Sequence, residues 1–103
     1  MSEIGFEKAA MLKEKPDVSK IGFGTHFTDY MFEMDYSKEK GWHDARILPY
    51  ADIKVSPANT TLHYGQAVFE GMKAYRQGNK VAIFRPMDHL RRMENSCRIL
   101  DIP

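Results

Sequence analysis

Arg92 is a candidate for the binding of a phosphate group. A phosphate needs donors in fixed positions, and a guanidinium offers a planar fork that can bind two oxygens at once. Arg92 follows Leu90, a member of the apolar stripe of a predicted helix, by two positions, so it points to the flank of that helix. A flank position can place a charge at the rim of a cleft, although periodicity alone favours a solvated arginine there. Arg91 is the main alternative candidate for the same role, and Arg85 is a weaker one.

Phe27, Tyr64 and Phe69 form a second group of candidate functional residues. Aromatic residues of this kind can line an apolar ligand pocket. Taken as residue types alone, all three are interpreted as ordinary core aromatics. Glu70 and Gly71 come directly after Phe69, where a glycine allows the backbone to bend beside a packed ring. A catalytic carboxylate is the alternative interpretation of Glu70 and is not the favoured one.

The composition argues against several other kinds of site. The four histidines show neither HxxxH nor HxH spacing, and the single cysteine, Cys97, has no cysteine partner, so no metal site is predicted. The formal net charge of +1 gives no basic excess for nucleic acid, and the chain has no phosphate-binding glycine motif. No apolar run approaches the ~20 residues that span a bilayer. One free thiol fits a reduced, cytoplasmic location.

The pattern of apolar and polar residues predicts an α+β fold with mostly antiparallel strands and one clear helix at about residues 86–100. Pro86 suits the first turn of that helix, and apolar residues at steps of three or four give it one stripe that is predicted to be buried. Residues 27–36 suit a strand, and its predicted core face carries Thr28, Tyr30, Phe32 and Met34. Other strand candidates are residues 45–50, 51–55, 72–76 and 80–84, with a hairpin connection at residues 77–79 and a short helix or turn within residues 62–70.

The stretch LHYGQAVFEGMKAYR, followed by IFRP and an arginine-bearing helix, resembles the amino-terminal part of a branched-chain amino acid aminotransferase. The resemblance extends back through GTHFTDYMF and covers about residues 21–103. It implies the small N-terminal domain of a fold type IV enzyme, the group that uses pyridoxal 5'-phosphate (PLP). Residues 1–20 are polar and charged and are predicted to form an N-terminal tail, mobile or loosely docked, whereas the resemblance implies that residues 21–103 are part of the small domain. The larger domain, with the Schiff-base lysine, is then expected beyond Pro103.

The resemblance also implies a function for the parent protein and for single residues. A branched-chain aminotransferase uses PLP to move an amino group between leucine, isoleucine or valine and 2-oxoglutarate. The arginine that matches Arg92 contacts the cofactor phosphate, and the aromatics that match Phe27, Tyr64 and Phe69 line the substrate pocket. The one matching Tyr64 comes from the neighbouring subunit of a dimer. A cytoplasmic homodimer that acts on small amino acids and 2-oxo acids is therefore expected, without metal, nucleic acid or membrane as a partner.

Two other hypotheses about function stay open from the sequence. D-amino acid aminotransferases and aminodeoxychorismate lyases share the scaffold, although the FTDYMF and HYGQAVFEGMKAYR stretches favour the branched-chain group. The chain could also be a non-catalytic assembly or interaction module. None of its lysines matches the catalytic position of the family, so residues 1–103 alone are expected to show no transaminase activity.

Overall fold

The computed structural model describes residues 3–103 of the chain. The chain folds as two compact units, one that ends at Lys54 and one that comprises Val55–Pro103. The first unit holds a three-stranded sheet, and the second holds a two-stranded sheet with two helices. Two of the three strand pairings are antiparallel, and one helix is much longer than the other. The predicted α+β class, mostly antiparallel with one main helix, is therefore confirmed.

The sheet of the first unit consists of β1 (Gly5–Phe6), β2 (Tyr30–Ser37) and β3 (Gly41–Pro49), in the order β1-β3-β2. β2 and β3 pair antiparallel, and β1 lies parallel to β3. β3 contains most of the strand predicted at residues 45–50 but begins earlier, directly after the turn at residues 38–40. The strand predicted at residues 51–55 is wrong, since these residues form no strand. β3 ends at Pro49, which has no N–H for the next ladder bond.

The predicted core face of β2 is wrong for Phe32 and Met34. These side chains are 56% and 38% exposed, whereas Met31 and Glu33 on the other face are half-buried. On the half-buried face, Arg46 of β3 donates to Glu33 Oε2 at 2.6 Å, so an ion pair lies where the prediction had solvent. Strand alternation shows which residues share a face, but it does not show which face is covered.

Residues before Lys20 contact the sheet of the first unit. The rings of Phe6 and Tyr30 lie 5.4 Å apart, and the Ala9 N–H donates to Tyr30 Oη at 3.1 Å. The Lys13 N–H donates to Asp29 Oδ1 at 2.7 Å. The segment predicted as a tail is therefore docked by one ring contact and several hydrogen bonds, while the division into residues 1–20 and 21–103 stays a prediction.

The second unit contains α1 (Thr60–Tyr64), β4 (Ala74–Gln77), β5 (Lys80–Ile83) and α2 (Pro86–Ile99). The predicted hairpin is confirmed, since Gln77 pairs with Lys80 across the two-residue connection Gly78-Asn79. Gly78 has φ 61°, which a glycine adopts without a Cβ clash. α2 begins at Pro86 as predicted. Among residues 3–103 there is no helix with the length and apolar character that crossing a membrane requires.

The apolar stripe of α2 is not buried as predicted. Met87, Leu90 and Met93 are 57%, 45% and 40% exposed. Polar contacts therefore hold the helix in the second unit, among them a 2.8 Å hydrogen bond from Gln66 Nε2 to the carbonyl oxygen of Leu100. Helical spacing identified which residues share the stripe, but other apolar side chains of the second unit, Phe69 and Phe84 among them, are exposed as well and do not cover it.

Gly65 ends α1 in the left-handed region, with φ 63°, and its N–H donates to the carbonyl oxygen of Thr61 at 3.2 Å. An alanine would keep that hydrogen bond but would place a Cβ in an unfavourable backbone conformation. Gly65→Ala should therefore lower the free energy of unfolding by about 1–2 kcal/mol in a urea titration of the full-length protein. Gly65→Asn is the matched control and should lose less, because asparagine tolerates this conformation. Equal losses for both variants would contradict the backbone explanation.

Candidate functional site

A bidentate ion pair between Glu70 and Arg92 joins the segment that precedes β4 to the middle of α2. Arg92 Nε donates to Glu70 Oε2 at 2.5 Å, and Arg92 Nη2 donates to Glu70 Oε1. The two residues lie 22 positions apart in the sequence. A planar fork that meets a carboxylate with two parallel hydrogen bonds fixes both the distance and the orientation of the guanidinium. Arg92, predicted as the phosphate ligand, is thus held by a partner from outside its helix.

Glu70 is the centre of this cluster. Its side chain is only 4% exposed, and its carboxylate also accepts from the Gly71 N–H at 2.9 Å and contacts His89 Nδ1 at 3.0 Å. The hydrogen bonds from Arg92, His89 and Gly71 lower the pKa of Glu70 to about 2, so the carboxylate is ionised near neutral pH. An ionised carboxylate can only accept, so His89 must carry a proton on Nδ1 in this contact.

Glu70 pairs two of the five N–H groups of the Arg92 guanidinium. It occupies the side-on edge, formed by Nε and Nη2, and raises the pKa of Arg92 above its already high value. The end-on edge, formed by Nη1 and the second N–H of Nη2, meets no hydrogen-bond partner among residues 3–103. The side chain is 66% exposed, so an anion from solution can approach that edge. Arg92 can therefore hold a second anionic group in addition to Glu70.

The two neighbouring arginines have different surroundings. Arg85 and Arg91 both contact Asp88, at 2.5 Å and 3.2 Å, in the first turns of the same helix. Their side chains are 67% and 71% exposed, and Asp88 is itself 44% exposed. Exposed pairs of this kind fix a side chain weakly. By contrast, a nearly buried carboxylate from another segment positions Arg92.

Phe27 lies in the first unit and is 58% exposed. Its ring stacks on Tyr50, with centroids 5.2 Å apart and planes at 20°. Lys13 Nζ lies 4.5 Å from the centre of the Tyr50 ring, so a cation covers part of this aromatic pair. Phe27 also borders a depression of about 360 Å³ together with residues of the docked amino-terminal segment. Phe27 is thus a surface aromatic of its unit, not a core residue.

Tyr64 and Phe69 lie in the second unit and are even more exposed, at 86% and 91%. Tyr64 is the last residue of α1, directly before Gly65. Phe69 lines a shallow depression of about 280 Å³ with residues at the carboxyl end of α2, among them Ile99 and Leu100. Neither ring belongs to a core of its unit, so both present apolar surface that a ligand or another part of the protein can contact.

The contacts of Glu70 and His89 with each other and around Arg92 were not predicted from the sequence. His89 and Arg92 are three residues apart, a spacing that puts them on the same side of a helix, and this signal was available. Glu70 was interpreted only as a possible catalytic carboxylate, because nothing in the local sequence shows that it meets α2. The predicted need for a glycine at Gly71 finds no support, since a Cβ there would meet nothing within 4 Å in the part of the chain that the structure describes. No group of three or more candidate metal ligands comes together within residues 3–103.

No protein-family model matches the chain. Curated proteins do match it, and three of them illustrate the range. A protein of Staphylococcus epidermidis named "Probable branched-chain-amino-acid aminotransferase" is 53% identical over 104 residues, which is 100% of this chain and 29% of that protein. "Branched-chain-amino-acid transaminase 1" of Bacillus subtilis is 51% identical over 94% of this chain and 28% of its own length. "Branched-chain-amino-acid aminotransferase" of Mycolicibacterium smegmatis is 45% identical over 80% of this chain and 23% of its own length.

The resemblance to branched-chain aminotransferases that the sequence motifs suggested is therefore confirmed. It extends over most or all of the chain in each of these comparisons. The chain spans less than a third of the length of the curated relatives that it matches.

Acidification should remove the stability that ionised Glu70 contributes. Folding lowers the pKa of Glu70 from 4.5 to about 2, so the contribution is present above pH 4.5 and is lost as the pH falls through about 2. Glu70→Gln has no group that titrates there. Its Tm, measured by circular dichroism, should therefore fall less steeply than that of the wild type across this pH range.

Glu94→Gln is the matched control for this experiment. Glu94 lies on α2 and is exposed, and its side chain makes no hydrogen bond or ion pair within residues 3–103. Its removal should leave the wild-type pH dependence of Tm intact. Parallel curves for the wild type and Glu70→Gln would show that the carboxylate is not held as the structure indicates.

Proposed function

We propose that this chain forms part of a PLP-dependent transaminase that moves an amino group between leucine, isoleucine or valine and 2-oxoglutarate. The observation that carries the proposal is the guanidinium of Arg92, which a nearly buried carboxylate holds by one edge while the other edge faces solvent. The names of the relatives support the choice of reaction over the D-amino acid aminotransferase and lyase alternatives. The choice of PLP as the cofactor rests on the motifs around Glu70 and Arg92.

The donors of Arg92 fit the phosphate of PLP. A phosphate monoester carries negative charge on three acceptor oxygens, and the end-on edge of a guanidinium can donate two parallel, charge-assisted hydrogen bonds to it. Arg92 binds and orients this group in the proposal, with Glu70 behind it. When bound, PLP supplies the electron sink that the transfer of an amino group needs.

Phe69 and Tyr64 are proposed to contact the aliphatic side chain of the substrate. Both residues expose more than four-fifths of their surface to solvent, and apolar rings of this size suit contact with a branched aliphatic group. Tyr64 is proposed to act across the interface of a homodimer. The assignment of Phe27 to the substrate pocket stays a prediction from the resemblance.

Several further parts of the proposal also rest on the resemblance alone. The lysine that anchors the cofactor is proposed to lie beyond Pro103, in a larger domain. The cytoplasmic location stays a prediction, as does the inactivity of residues 1–103 when expressed alone.

Replacement of Arg92 tests the phosphate contact. In the full-length protein, Arg92→Ala should raise the Kd for PLP by about ten- to a hundredfold, because a charge-assisted contact is lost. Titration of the cofactor by absorbance measures this change. Arg91→Ala is the matched control on the adjacent, more exposed residue and should change the Kd little. A large effect of Arg91→Ala with none for Arg92→Ala would show that Arg91, not Arg92, binds the phosphate.

Replacement of Phe69 tests the pocket. Phe69→Ala should lower kcat/KM for leucine and isoleucine by about tenfold or more relative to its effect on alanine, because only the larger side chains reach the missing ring. Phe84→Ala is the matched control, since Phe84 is also strongly exposed in the second unit and is not assigned to the pocket. Equal losses for all amino acids with Phe69→Ala would point to a packing or cofactor defect and contradict the assignment.

A further inference from the structure

Glu70 meets only the side-on edge of Arg92, and this division of the guanidinium suggests a task for the carboxylate. Resting on the proposed function, we propose that Glu70 is a positioning residue that holds Arg92 so that its end-on edge is preorganised for the phosphate of PLP. Glu70 itself does not touch the phosphate in this account. Its effect on cofactor affinity runs through the orientation of Arg92.

The carboxylate is well placed to act as a fixed support. Its side chain is 4% exposed, and it contacts Gly71, His89 and both nitrogens of the side-on edge of Arg92. These contacts come from its own segment and from α2, so they restrain the carboxylate from two directions. A carboxylate with this many partners has one position, and the fork geometry transmits that position to the guanidinium.

Arg92 needs such a support because little else restrains it. Its side chain is 66% exposed, and Glu70 is its only side-chain partner among residues 3–103. A long, exposed arginine samples many rotamers, and each binding event then has to order it. Loss of the support should weaken phosphate binding by about three- to tenfold, the usual cost of immobilising one such side chain.

An opposite effect of Glu70 is conceivable, since a carboxylate also reduces the positive charge that Arg92 offers to an anion. Two features of the site make this effect the smaller one. The carboxylate lies on the neighbouring edge, which shares only Nη2 with the donors left for the phosphate, and the exposed side chain lets solvent screen repulsion between two anions. Ordering and charge competition change the affinity in opposite directions, so a measurement separates them.

The test compares PLP with pyridoxal, which lacks the phosphate, in the full-length protein. The ratio of the Kd for pyridoxal to the Kd for PLP isolates the contribution of the phosphate from general damage to the site. Absorbance titrations give both constants for the wild type, Glu70→Gln, Arg92→Ala, the double variant and the control Glu94→Gln. Glu70→Asp serves as a second variant if Glu70→Gln does not fold, because it keeps the charge but is one methylene too short for the same contact.

The proposal predicts that Glu70→Gln lowers the ratio by about three- to tenfold, that Glu94→Gln leaves it unchanged, and that Glu70→Gln adds nothing in the Arg92→Ala background. An unchanged or increased ratio for Glu70→Gln, or an equal loss with and without Arg92, would overturn it. Failure of the proposed function looks different. In that case the wild-type protein shows no preference for PLP over pyridoxal, or Arg92→Ala leaves the ratio untouched.

Discussion

The fork-to-carboxylate contact between Arg92 and Glu70 is the interaction on which the second unit and its candidate site both depend. α2 presents a half-exposed apolar stripe, so apolar packing holds it only weakly. The polar contacts of Glu70, and that of Gln66 with the end of the helix, attach it to the segment before β4. The same contact orients the guanidinium that we propose as the phosphate ligand, so the proposal couples local stability to anion binding.

The contact with Glu70 also gives Arg92 surroundings that differ from those of its two neighbouring arginines. Arg85 and Arg91 each pair with the exposed Asp88, three residues away, and solvent competes for these hydrogen bonds. Arg92 meets a carboxylate that is almost fully covered, and its remaining donors face outward. An anion that reaches Arg92 therefore meets a guanidinium that is already oriented, which lowers the entropic cost of binding.

Local sequence signals predicted the elements, and non-local contacts account for what they missed. Pro86 and the helical spacing after it gave α2, and Gly78-Asn79 gave the hairpin, because both depend on neighbours in sequence. Which face of β2 is covered, and how far the α2 stripe is exposed, depend on the segments that pack against them. The periodicity of the sequence carries no information about those segments. The partnership of Glu70 with Arg92 spans 22 residues and needs the three-dimensional structure.

The most direct test of this account is a crystal structure of the full-length protein with PLP bound. The account predicts a phosphate oxygen within about 3 Å of Arg92 Nη1, while Nε and Nη2 remain on the Glu70 carboxylate. A structure in which Arg92 leaves Glu70 to reach the phosphate would contradict the positioning role. One in which the phosphate lies beyond reach of Arg92 would contradict the assignment of the site itself.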